Sequence, residues 1–159
     1  MGGVGEFIED QNRYELELAK SMGWKFVEGQ GKGSAHDFVT PDGTKIEVKF
    51  DWDSIKTGNH YLEFAQSSDG GNTWIPSGFT LSVDDADLWV VVNNDWMRVF
   101  TIESLKQLIT KNRGSLRIAT TRAGVNNNRP NQFSKAYLIP YDILDHHATE
   151  KTASPIRRR

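Results

Sequence analysis

The chain has 159 residues, 37% hydrophobic and 25% charged, which is enough apolar material for one ordinary core. It has no apolar run long enough for a membrane span and no cysteine, which excludes disulfides and thiol catalysis. Its net charge of −2 excludes a general basic field as the means of holding nucleic acid, so such a partner must be met by a local surface.

Residues 6–22 read as a helix closed by Gly23, with Tyr14, Leu18, Ala19 and Met22 forming a stripe at helical spacing. Glu15 borders that stripe, Glu6 and Glu9 lie one or two turns earlier, and Glu17 faces more towards solvent. Residues 24–28 read as a first strand, followed by the glycine-rich Gly29–Ser34. That loop has the spacing of neither a Walker motif nor a dinucleotide fingerprint. Its backbone and Lys32 suit an approach to a phosphodiester, but a plain connecting loop is the reading its composition favours.

The stretch Asp37–Lys49 reads as a hairpin. Thr40-Pro41-Asp42-Gly43-Thr44 is a strong turn signal, with proline presetting one turn position and Gly43 taking the left-handed one. A three-residue loop closed by a glycine bulge puts Thr40 opposite Thr44, Val39 opposite Lys45, Phe38 opposite Ile46 and Asp37 opposite Glu47. Asp37, Glu47 and Lys49 then share one face, while Ile46, Val48 and Phe50 face the core. Opposed carboxylates repel, and a divalent cation removes the conflict, since hard Mg²⁺ takes one or two carboxylates and completes its shell with water and phosphate oxygens. A lysine two residues along can orient water or stabilise charge on a phosphate. The pattern suits phosphodiester hydrolysis.

Beyond a polar turn at 51–58, Asn59–Ala65 alternates as a strand, with Glu63 either near the site or on a solvated face. Asp87–Val92 is a near-continuous apolar run, the mark of a strand buried on both faces, and Met97–Phe100 is its partner. Thr101 is placed to cap a helix through Asn112 with Leu105, Leu108 and Ile109 inward. Residues 113–134 lack periodicity and carry Arg113, Arg117, Arg122 and Arg129 among asparagines and a glutamine. These side chains reach phosphates and base edges, so the segment is a candidate nucleic-acid surface; a solvated basic loop fits the charges as well. Residues 136–139 return as a strand and 140–144 open a short helix. The expected organisation is a single domain over 1–147, with 148–159 a disordered basic tail ending in three arginines. The four histidines, His36, His60, His146 and His147, show no zinc-type spacing.

Asp37, nine residues, then Glu47-Val48-Lys49 resembles the signature of the PD-(D/E)XK nuclease superfamily, over roughly residues 6–100. His36 stands where that family usually has proline. Thr57-Gly58-Asn59 leading to Glu63, and the turn Pro76-Ser77-Gly78, are similar to segments of phage-encoded members. The resemblance implies an α/β fold, a central mixed sheet flanked by helices in a restriction-endonuclease-like core. It implies Asp37, Glu47 and the Val48 carbonyl as ligands of Mg²⁺, with Mn²⁺ able to substitute. Lys49 would position the attacking water, and Glu15 would supply the helix carboxylate, with Glu9 and Glu6 as alternatives. Ser77 would lie beside the active site and join Lys32 and the four arginines in contacting DNA. The expected function is a phage or bacterial DNA endonuclease of homing, junction-resolving or restriction type, cytoplasmic, with no membrane partner. Two active sites are usually needed to cut both strands, which points to a homodimer. A non-catalytic nucleic-acid-binding or protein-interaction module on the same fold, and an RNA-directed nuclease, stand as alternatives.

Overall fold

The computed structural model describes residues 4–27, 37–83, 85–122 and 131–158. Its first helix, α1 (Val4–Met22), ends at Gly23, whose φ of 71° is the left-handed conformation that stops a helix. Tyr14, Leu18 and Ala19 are buried on its inner face, as the helical spacing predicts, and Met22 is partly buried beside them.

Two sheets follow. The larger, six-stranded sheet has the order β1-β2-β3-β6-β7-β10. Its strands are β1 (Lys25–Phe26), β2 (Phe38–Val39), β3 (Lys45–Phe50), β6 (Leu88–Val92), β7 (Trp96–Thr101) and β10 (Glu150–Ala153). Only β3 and β6 run parallel and the remaining pairs are antiparallel, so the sheet is mixed. The smaller, four-stranded antiparallel sheet has the order β5-β4-β9-β8. It is built from β4 (Asn59–Ser67), β5 (Ile75–Pro76), β8 (Arg117–Arg122) and β9 (Phe133–Pro140). The short helices α2 (Ser54–Thr57) and α3 (Phe79–Ser82) flank β4 and β5 in sequence, while α4 (Ile102–Asn112) and α5 (Tyr141–His147) follow β7 and β9. The architecture is thus α/β, with a central mixed sheet flanked by helices.

β6 explains the two-sided core. Its Val90 and Val92 pack into a cluster with Leu18 of α1, Phe38, Ile46 and Val48. Its Trp89 and Val91 belong to a second cluster with Leu62 of β4, Leu105 and Leu108 of α4, Ile139 of β9 and Leu144 of α5. An apolar run without alternation is what a strand needs when both faces are covered. Thr101 caps α4 as expected, its hydroxyl accepting from the Ser104 N–H at 3.0 Å.

Three expectations are corrected. The segment expected as a disordered tail over 148–159 is ordered over its described residues, 148–158: β10 pairs with β7 from Glu150↔Val99 to Ala153↔Trp96, and Ile156 is buried in the α1-side core. The segment carries few apolar residues, but the edge of β7 offers it backbone hydrogen bonds, and buried Ile156 together with the Arg158 N–H, which donates to Asn94 Oδ1 at 2.7 Å, anchors its end. Residues 117–122 form strand β8 on the edge of the smaller sheet rather than an aperiodic loop. Being an edge strand, β8 buries little, so its sequence shows no apolar alternation. Thirdly, the β2–β3 ladder ends at Phe38↔Ile46, and the Asp37 N–H donates to the Ile46 carbonyl at 2.8 Å, one residue short of Glu47. Asp37 is therefore not the squarely opposed partner of Glu47.

Candidate active site

The turn that shapes the β2–β3 hairpin forms as its residues dictate. Gly43 has a φ of 88°, its N–H donates to the Thr40 carbonyl at 3.0 Å, and the Thr40 N–H donates to the Thr44 carbonyl at 2.9 Å. The Asp42 carboxylate accepts from the Thr40 hydroxyl, from the Thr44 hydroxyl at 2.8 Å and from the Thr44 N–H at 3.1 Å. Those donors hold the Asp42 carboxyl below the usual carboxylate range. The hairpin thus fixes the register Val39↔Lys45 and Phe38↔Ile46, and with it the faces of β3.

Ile46 and Val48 enter the α1-side core, so Glu47 and Lys49 emerge from the opposite face of β3. Glu47 is nevertheless only 7% exposed, which makes it a buried carboxylate rather than a solvated strand residue. Lys49 Nζ lies 2.8 Å from Glu47 Oε1. Asp37 reaches the same strand from the end of β2, its Oδ2 accepting the Val48 N–H at 3.1 Å. Val48, expected as a carbonyl ligand, is thereby tied to Asp37 through its amide.

Glu15 arrives from α1. Its carboxyl is pushed up to about 7, chiefly by burial and then by repulsion from Asp37 and Glu47, with Lys49 acting in the opposite sense. Burial works against the charge of Lys49. The field of Glu47, their hydrogen bond, and the charges of Asp37 and Glu63 outweigh it and hold its pKa above the ordinary lysine value. Glu15, Asp37, Glu47 and Lys49, from three separate elements, are therefore one electrostatic unit, and Glu63 of β4 belongs to its surroundings. Glu6 and Glu9, the alternatives to Glu15, have side chains outside the described residues.

The turn at Pro76-Ser77-Gly78 is pressed against β4. The Ser77 N–H donates to the Phe64 carbonyl at 3.1 Å, and a Cβ on Gly78 would lie 2.4 Å from the Glu63 carbonyl oxygen. The β4–β9 register shifts between Glu63 and Ala65, an irregularity of the kind that re-aims a side chain next to a site. Ser77 is 3% exposed, and its hydroxyl finds no partner among the described residues, so it is a buried turn residue rather than a surface contact.

The nucleic-acid candidates are dispersed. Arg113 stands exposed at the end of α4 and Arg117 opens β8, also exposed. Arg122 closes β8, its side chain not being among those described, while Lys32 and Arg129 lie outside the described residues. The sequence reading did not single out two further features. Trp89, paired in register with Glu47 on the neighbouring strand, lies under Lys49 with its ring centroid 5.3 Å from Nζ. Its position in an apolar run hid it among core residues. His60 of β4 is buried, with Nδ1 2.6 Å from Asp51 Oδ2, and so joins the end of β3 to the smaller sheet. Its lack of zinc-type partners gave no hint of that pairing.

No protein-family model and no curated protein sequence matches this chain. A solved structure described as that of a bacterial homing endonuclease is similar over 64% of this chain and 71% of its own. The two share 24% sequence identity with a TM-score of 0.44, a likeness too distant to assign an activity.

Proposed function

We propose that this protein is a Mg²⁺-dependent endonuclease hydrolysing phosphodiester bonds in DNA, on a PD-(D/E)XK, restriction-endonuclease-like core. The observation that carries this reading is the convergence of Glu15, Asp37 and Glu47 around one lysine, Lys49, with Glu47 buried and Lys49 in contact with it. Burial first, and then the neighbouring charges of Asp37 and Glu47, raise the pKa of Glu15, which ties the helix carboxylate to the other two. Among the described residues no three His, Cys, Asp or Glu side chains are placed to hold a metal by themselves. Mg²⁺ keeps much of its water and needs one or two carboxylates plus substrate phosphate, so Asp37 and Glu47 are the pair proposed for it.

Asp37 and Glu47, with the Val48 carbonyl, are the groups that would hold the ion. Mn²⁺ is expected to substitute. When bound, the ion would neutralise charge on the phosphate and stabilise the leaving oxygen. Lys49 would point its ammonium at the attacking water or at a non-bridging phosphate oxygen. Glu15, with a pKa near neutrality, would accept a hydrogen bond or a proton from that water. The exposed Arg113 and Arg117 would meet DNA phosphates, together with Lys32, Arg122 and Arg129, and Ser77 would support the wall of the site. Two copies of the chain would cut the two strands. Phage or bacterial homing, junction resolution and restriction all use such chemistry.

Calorimetric titration with Mg²⁺ and Mn²⁺ tests the reading. Binding to the wild type, weakened at least about tenfold in Asp37→Asn and in Glu47→Gln by loss of a full charge at contact distance, is expected. Heats indistinguishable from dilution with both ions would remove the metal centre and leave a non-catalytic module.

A further inference from the structure

We propose that Trp89 is a positioning residue for Lys49, its indole face holding the ammonium beside Glu47 with one donor free for the substrate phosphate. The inference rests on the nuclease reading for its functional consequence, while its geometry stands independently. β3 and β6 run parallel with Glu47↔Trp89 and Lys49↔Val91 in register, so Glu47, Lys49, Trp89 and Val91 share one sheet face. Instead of extending away from the strand, Lys49 leans back along it. Its Nζ reaches Glu47 Oε1 at 2.8 Å and lies 5.3 Å from the centroid of the Trp89 ring, within cation–π range.

An ammonium has three N–H donors and no acceptor. Glu47 takes one and the negative face of the indole attracts the ammonium from a second side. The Lys49 side chain keeps 39% of its surface accessible, so the remaining side is open to an incoming anion. Without the ring, Lys49 would keep its contact with Glu47 and the fields of Asp37 and Glu63, which a four-carbon flexible stem satisfies in many conformations.

The pad is rigid by construction. Trp89 is 1% exposed, and Phe79 meets it edge-on at 5.6 Å and 88°. Phe79 opens α3 directly after Gly78, which is pressed onto the backbone of Glu63. The indole N–H finds no partner among the described residues, so a hydrogen bond of its own does not explain Trp89's retention of a polar atom in this core. Packing alone would be served by phenylalanine or leucine. The larger π face is what those residues lack.

The test combines a spectroscopic and a kinetic reading on Trp89→Phe and Trp89→Leu. With lysines ¹³C-labelled at the ε carbon and Lys49 assigned through Lys49→Ala, the ring current of Trp89 should displace the Lys49 ε-methylene resonance upfield in the wild type. The displacement should shrink in Trp89→Phe and vanish in Trp89→Leu. Against supercoiled plasmid and four-way-junction DNA with Mg²⁺, kcat should fall about tenfold in Trp89→Leu and less in Trp89→Phe, with KM little changed. The resonance shift reports proximity, whereas a core role alone would lower stability in both variants and leave the kcat of the folded Trp89→Leu protein at the wild-type value. An unshifted Lys49 resonance in the wild type would overturn the proposal, as would full kcat in a Trp89→Leu protein whose shift is lost. Wild-type cutting by Lys49→Ala would instead overturn the nuclease role of the lysine itself, whatever the resonance shows.

Discussion

Glu15 carries the sharpest expectation at the scale of a single residue. Its pKa of about 7 is raised above the value of an unfolded glutamate, so its protonated form favours the folded state. That contribution is fully present below the unfolded pKa and is lost as pH rises towards and through 7. At pH 8 without metal, the ionised Glu15 is therefore a destabilising charge. Glu15→Gln should raise the stability there by an amount on the order of 1 kcal/mol, solvent screening being allowed for, and should have little effect at pH 4. A melting curve at each pH checks it. Metal affinity of the wild type should climb between pH 6 and 8 as the carboxylate forms, and this climb should flatten in Glu15→Gln. The shared face of Glu47 and Lys49 was legible in the sequence because a hairpin turn fixes register and register fixes faces, whereas Asp37 reaches Val48 N–H from beyond the end of the ladder, which the turn count did not foresee. Glu15 was legible as a residue bordering the apolar stripe of α1, and the helix-carboxylate role given to it came from the family resemblance. Trp89 was not legible, since one aromatic in an apolar strand looks the same whether it fills space or supports a lysine.

At the scale of elements, the C-terminal segment and the turn before α3 matter more than their sequences suggest. Arg98 of β7 is 2% exposed, its Nε donates to Asp145 Oδ1 at 2.6 Å, and its guanidinium lies 4.6 Å from the centre of the Tyr141 ring. Lys151 of β10 reaches the other Asp145 oxygen at 3.0 Å, so Asp145 joins α5 to both strands. These donors hold the Asp145 carboxyl below its ordinary value despite the opposing effect of burial. Asp145→Ala leaves Arg98 charged and buried and should cost about 2–3 kcal/mol in urea unfolding, somewhat less than for a fully buried pair because Asp145 is 36% exposed. Gly78→Ala would drive a Cβ to 2.4 Å from the Glu63 carbonyl at a φ of 53° and should destabilise by about 2 kcal/mol. Because that clash lies at Glu63, it should also lower kcat. A basic, apolar-poor tail reads as disorder in sequence, since long-range pairing with the edge of β7 leaves no local periodicity to detect.

Across the molecule, the two sheets meet over Trp89, Leu62 and Ile139, and the site lies where β3 of one approaches β4 of the other. The larger sheet was readable from its buried β6 and its hairpin. The separate four-stranded sheet was not, because β8 is exposed and β4 pairs with β9 across some 70 intervening residues, a contact no local pattern encodes. No helix among the described residues is long and apolar enough to cross a membrane. The carboxylates around Lys49 and the exposed Arg113 and Arg117 belong to different elements, and this distribution would let a protein of net charge −2 engage DNA locally. Mg²⁺ at a hundredfold excess over the dissociation constant should stabilise the fold by about 2.7 kcal/mol, seen as a raised melting temperature, and EDTA should abolish the gain.

Cleavage itself is the most direct test. Purified protein would be incubated with supercoiled plasmid and with a four-way DNA junction, in Mg²⁺ or in EDTA, beside Lys49→Ala. Metal-dependent strand scission that is lost in Lys49→Ala is the predicted result, and a preference for the junction would place the enzyme among resolving nucleases. Scission that persists in EDTA, or that Lys49→Ala performs at the wild-type rate, would contradict the assignment of this carboxylate–lysine cluster as the catalytic centre.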